Sequence, residues 1–118
     1  MESRLADKVC TPCRGDVPRL EDAEIRELMP QVPDWELVHE DGVAKLRRSY
    51  SFRNFRDALA LTNRIGELAE AEGHHPTLVT EWGRVTVTWW THKIRGLFGN
   101  DFIMAAKSDE AYRELGAG

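Results

Sequence analysis

The chain has 118 residues, with 20 acidic and 16 basic side chains and a formal net charge of −4. That length suits one domain with its own core and is short for two. Charges of both signs are scattered, so no basic stripe announces nucleic acid. There is no apolar run of about 18 residues, and MESRLADKVC lacks the apolar middle of a signal peptide, so a cytoplasmic protein without a membrane partner is expected.

Residues 1–17 contain Cys, Pro and Gly without apolar periodicity and are expected to form an extended N-terminal arm, with a single domain over 18–118. The only two cysteines, Cys10 and Cys13, lie in "CTPC". This pair cannot staple distant parts of the fold. It lacks the second pair of a zinc ribbon and the βαβ setting of a redox dithiol, which favours an unligated arm.

From Leu20 to Met29, acids in the first turn and Ile25, Leu28, Met29 and Val32 on one face predict a helix that Pro30 ends. In "DWELVHEDGVAKLRRSYSF" the period falls to two: Trp35, Leu37 and His39 alternate, Asp41-Gly42 marks a tight turn, and Ala44, Leu46, Tyr50 and Phe52 resume. A hairpin is expected there. "NFRDALALTNRIGELAEAEG" then reads as a long helix capped by Asn54, striped by Phe55, Ala58, Leu59, Thr62, Ile65 and Ala69, and stopped by Gly73.

After His74-His75-Pro76, a strand near Thr77–Thr80, a turn at "EWGR" and the β-branched, aromatic run "VTVTWW" predict a second hairpin. "DFIMAAKSDEAYREL" closes the series as a helix capped by Asn100 or Asp101, with Phe102, Ile103, Ala106 and Leu115 apolar. The order α-β-β-α-β-β-α predicts an α+β fold, a four-stranded antiparallel sheet with helices packed on one face. Some aromatic surface on the uncovered face would suit a subunit interface or a flat ligand.

Three of the four histidines, His74, His75 and His92, leave regular structure where clefts form. Imidazole gives or takes a proton near neutral pH, and Glu70, four residues before His74, could fix a tautomer. Locally the pair also reads as a solvated turn. Three imidazoles and a carboxylate suit zinc as well, though neighbouring side chains diverge and no HExxH helix occurs. Asp101 reads locally as a helix cap, Trp89-Trp90 as core or interface, and His39 as exposed. No glycine-rich phosphate loop is present, so nucleotide chemistry is not supported.

The spacing Glu70-x3-His74-His75-Pro76, five residues to Trp82, nine more to His92 and eight more to Asp101, resembles the signature of the pterin-4a-carbinolamine dehydratases, bacterial type. "DWELV", "YSFRNF", "LVTEWGRVTVTWWTHKIRGL" and "NDFIMAAKSDE" are similar to bacterial members in the same order. The likeness spans roughly Pro33 to Glu110.

The resemblance implies dehydration of 4a-hydroxytetrahydrobiopterin to quinonoid dihydrobiopterin, recycling the cofactor of aromatic amino-acid hydroxylases such as those of phenylalanine hydroxylation. It implies a homodimer or homotetramer, the pterin as substrate, no separate cofactor and no metal, with a hydroxylase as a further partner. His74, His75 and His92 match the family's active-site histidines, Glu70 and Asp101 its acidic positions, and Pro76 and Thr91 flank the pocket. In this transfer His75 and His92 share the acid and base roles, His74 holds the pterin and Glu70 orients an imidazole. The animal enzymes usually carry an acid before the histidine pair and an aromatic two residues after the proline, where this chain has Gly73 and Leu78. Relatives of the fold also serve as non-catalytic protein-binding modules, a dimerisation cofactor for a transcription factor or a Rubisco assembly factor, which is the alternative reading.

Overall fold

Asp41 and Gly42 both take positive φ, 52° and 77°. Two successive left-handed residues make the tight hairpin turn whose twist matches that of its strands. It joins β1, Glu36–Glu40, to β2, Val43–Ser51. The second hairpin joins β3, Thr77–Glu81, to β4, Arg84–Trp89. The computed structural model describes residues 5–10 and 18–116, and within it these strands form one antiparallel sheet in the order β1-β2-β4-β3. The hairpins meet along β2 and β4, where Leu46 faces Trp89 and Tyr50 faces Val85.

The register separates the two faces as the alternation predicts. Leu46, Tyr50, Val85, Val87 and Trp89 are buried on one face, joined in the core by Ala58, Leu61, Ile65, Phe102, Met104 and Ala105 of the covering helices. The opposite face is polar: Ser49 and Thr86 share a hydroxyl hydrogen bond at 3.1 Å, and Arg47 Nε donates to Thr88 Oγ1 at 3.0 Å. Each large apolar side chain removed from water on the covered face contributes about 1.5–3 kcal/mol.

Three helices complete the fold: α1, Asp22–Leu28; α2, Phe55–Glu72; and α3, Gly99–Glu114. Pro30 falls within a 3₁₀ turn, Met29–Gln31, that follows α1 directly. Asn54 caps α2 as expected, its side chain accepting from Asp57 N at 2.8 Å. The buried stripe of α2, however, is Ala58, Leu61, Ile65 and Ala69, while Phe55 and Leu59 stay exposed. Both sets have helical spacing, and the packing partners choose between them.

At α3 the sequence expectation is corrected by two or three residues: Phe98 occupies the cap position, and Asn100 and Asp101 lie inside the helix. Its first half is buried nearly all round, from Asn100 to Ala105, and Leu115 is exposed. The sheet lies on one side of it and a single 3₁₀ turn, Leu5–Asp7, on another. That turn differs from the extended arm expected there: Leu5 enters the core and Lys107 Nζ donates to Ala6 O at 2.9 Å. Cys13 and the rest of "CTPC" after Cys10 lie outside the described residues.

One carboxylate ties α3 to the first hairpin. Asp109 accepts from Trp35 Nε1 at 3.0 and 3.1 Å, from Arg48 NH1 at 2.6 Å and from the Tyr50 hydroxyl at 2.5 Å. Burial beside that carboxylate pushes the Tyr50 phenol well above its usual pKa, so it remains a donor.

Candidate active site

The site begins where α2 stops. Gly73 takes a left-handed φ of 66°, and its N–H and that of His74 both close on Ala69 O. This reversal sends two adjacent side chains opposite ways. His74 is 8% exposed, whereas the His75 side chain is 62% exposed.

His74 Nε2 lies 2.6 Å from Asp101 Oδ1, and its ring stacks on Trp89 with centroids 5.6 Å apart and planes 7° apart. Asp101 is fully buried, and its other oxygen accepts from Thr91 Oγ1 at 2.7 Å and from Phe98 N at 3.0 Å. A carboxylate only accepts, so Nε2 of His74 carries the proton and Nδ1 is left to a ligand. The sequence presented Asp101 either as a helix-start acid or as a site residue. In the structure one oxygen closes the first turn of α3 while the other lies against the His74 imidazole.

His92 sits in a closed loop. Thr91 N donates to Gly96 O at 2.8 Å and Gly96 N returns to Thr91 O at 3.4 Å, with a 3₁₀ turn His92–Ile94 and a left-handed Arg95, φ 49°, between them. The His92 pKa is lowered from 6.5, chiefly by desolvation and next by the neighbouring His74, with Lys45 and His75 acting the same way and Asp101 opposing. At pH 7 His92 is therefore a neutral imidazole able to accept a proton.

His74, His75, Thr91 and His92 line one cavity of about 610 Å³ together with Cys10, Glu72, Gly73 and Lys93. Asp101 lies beneath it as a support. Glu70 stands outside the lining and reaches His75 Nε2 at 2.8 Å across an exposed contact. Pro76 is likewise absent from the lining and leads the chain into β3. Leu78, where animal enzymes carry an aromatic, belongs to the core side and to a separate depression along α2. A larger open cleft of about 870 Å³ between residues 18–25 and 93–97 contains none of the three site histidines.

Cys10, Glu72 and Lys93 escaped the sequence reading. Cys10 N donates to Glu72 Oε1 at 2.7 Å, which brings the N-terminal segment to the cavity wall. Burial, followed by the Glu72 charge, pushes the Cys10 thiol up to about 12, so it is a neutral wall group. A signal for Glu72 did exist: Glu70 and Glu72 stand in the last turn of α2, where the helix dipole disfavours acids, so both need an outside partner. Among the described residues no set of three His, Cys, Asp or Glu side chains converges on a metal position. No helix among them is long and apolar enough to cross a membrane.

Residues 18–111 match the sequence profile of the family described as pterin 4 alpha carbinolamine dehydratase. A protein of Nitrosococcus oceani provisionally named as that enzyme is 58% identical over 106 residues, covering 90% of this chain and 94% of its own. One from Gloeobacter violaceus, with the same provisional name, is 55% identical over 113 residues, 96% of this chain and 97% of the relative. Among solved structures, a transcriptional coactivator/pterin dehydratase from Brucella melitensis superposes with a TM-score of 0.73 at 31% identity, covering 80% of this chain and 98% of that one. A pterin dehydratase-like Rubisco assembly factor of the α-carboxysome gives 0.57 at 18% identity over 67% of this chain and 89% of that one, a likeness of fold alone.

Proposed function

Since the chain belongs to the pterin 4 alpha carbinolamine dehydratase family, we propose that it dehydrates 4a-hydroxytetrahydrobiopterin to quinonoid dihydrobiopterin by histidine acid–base catalysis. The observation that carries this reading is the convergence of His74, His75 and His92 on one cavity of about 610 Å³, a size suited to a bicyclic ligand. In the reaction the C4a–O bond breaks, the N5 lone pair forms the C4a=N5 bond, the hydroxyl leaves as water with a proton from the acid, and the base takes the N5 proton.

The neutral state of His92 suits the base, and His75, held by Glu70, suits the acid. The Nδ1 of His74 is left to accept a hydrogen bond from the pterin. Thr91 presents its backbone beside these rings while its hydroxyl is committed to Asp101. The product serves an aromatic amino-acid hydroxylase once reduced. Exposed Phe55 and Leu59, one turn apart on α2, support assembly as a homodimer or homotetramer, which light scattering on the purified protein would resolve. A purely protein-binding role has less support, because it needs none of the three imidazoles.

The test mixes purified protein with freshly generated 4a-hydroxytetrahydropterin and follows absorbance during dehydration. Acceleration over the spontaneous rate is expected, and His92→Ala should lower kcat by about 10²-fold or more. A rate equal to the spontaneous one would overturn the enzyme reading, and an unchanged His92→Ala would remove that residue from the mechanism.

A further inference from the structure

The polar face of the sheet holds an arrangement that points back at the site. Trp90 follows β4, and its indole stacks on His92 with centroids 4.0 Å apart and planes 26° apart. The Lys45 ammonium lies 4.1 Å from the centroid of the same indole. Lys45 is only 14% exposed and is bound by Glu40 Oε1 at 3.1 Å, which also takes Arg47 NH2 at 2.9 Å. Those two hydrogen bonds hold the Glu40 carboxyl below the usual carboxylate range. Arg47 in turn is fixed to Thr88 on β4. A continuous set of contacts thus runs from the β1–β2 hairpin, through one aromatic ring, to a cavity histidine.

We infer that Trp90 is a positioning residue for His92, its indole fixing the imidazole ring toward the cavity, and that Lys45, clamped over the same indole by Glu40, stations a cation behind that ring. His92 is exposed and starts a short loop, so without a platform its side chain would sample several rotamers. A ring contact at 4.0 Å removes most of that freedom before any ligand arrives. The nearby ammonium repels a second positive charge on the imidazole, whereas the indole face itself attracts one. The ammonium disfavours protonation, in the direction found for His92.

The groups facing His92 from the other elements are His74 and His75 at the end of α2 and Asp101 in α3, with Glu72, Cys10 and Lys93 around the same cavity. Of these, only Asp101 is resolved as favouring the imidazolium. The platform therefore sets the balance on the side away from α3.

The inference rests on the dehydratase reading only for its kinetic arm, and two measurements separate them. The first is an NMR titration of the His92 imidazole in the full chain, as wild type, Lys45→Met and Lys45→Arg. Lys45→Met should move the titration to higher pH, whereas Lys45→Arg should stay near wild type. The second is the pH profile of dehydration. Lys45→Met should move its acid limb to higher pH, and Trp90→Leu should lower kcat by up to about 10²-fold through misplacement of the ring, a loss that Trp90→Phe should largely restore. An unmoved His92 titration in Lys45→Met, or an unchanged kcat in Trp90→Leu, would overturn the inference. Lys45→Met keeps the test valid if Trp90→Leu fails to fold. A moved titration with an unmoved rate profile would uphold the platform and overturn His92 as the base.

Discussion

Two carboxylates contact two adjacent histidines, and their surroundings give them unequal weight. Glu70 and His75 are both exposed, a setting in which an ion pair is worth about 0.2–1 kcal/mol. Asp101 is fully buried with three donors on it. Glu70→Gln is therefore expected to reduce kcat/KM by no more than about fivefold. Asp101→Ala should cost about 3 kcal/mol or more of stability, because it strands a buried hydroxyl, an N–H and an imidazole N–H. Chemical denaturation alongside steady-state kinetics would rank the two, and equal effects would contradict this reading of burial. The residue types of this candidate site were legible only through the family resemblance, since residue by residue the histidine pair also reads as a solvated turn and Asp101 as a helix cap. Which acid is buried was not, because that depends on α3 folding back over the end of β4. The role of Trp90 was hidden for the same reason: a Trp pair next to a strand signals burial, and nothing local says that one ring would lie against His92.

Elements were legible where a local device sets them and less so where packing chooses. Asp41-Gly42, Asn54 and Gly73 each act through their own backbone or side-chain chemistry, and each sits where the sequence placed it. The α2 stripe and the α3 start depend instead on partners distant in sequence. Gly73 also separates His74 from His75, so its φ of 66° matters to the site as well as to the helix. An added Cβ there meets no atom within 4 Å, which leaves backbone conformation as the only objection. Gly73→Ala is thus expected to cost about 1–2 kcal/mol, with loss of activity exceeding loss of folded protein. A circular-dichroism melt and an assay at a temperature where the variant is fully folded would check both parts.

At the scale of the molecule, Asp109 closes the structure by joining α3 to Trp35, Arg48 and Tyr50. Asp109→Ala leaves the Trp35 and Tyr50 donors without this acceptor and Arg48 with only the longer contact to Asp34, 3.6 Å, at about 2–3 kcal/mol. For a domain of this size that lowers Tm by about 4 °C per kcal/mol. A Tm within a degree or two of wild type would show the knot to be dispensable. This helix also supplies Asp101 to the cavity, with consequences for how the protein is made. Translation delivers all four strands before α3, so for an interval Val85, Val87 and Trp89 lack their cover and His74 lacks its carboxylate. Finishing the fold and arming the site are then one event in biosynthesis. A nascent chain released before Gly99 would keep Val85, Val87 and Trp89 without the cover of α3, the kind of exposed apolar surface that chaperones and proteases act on.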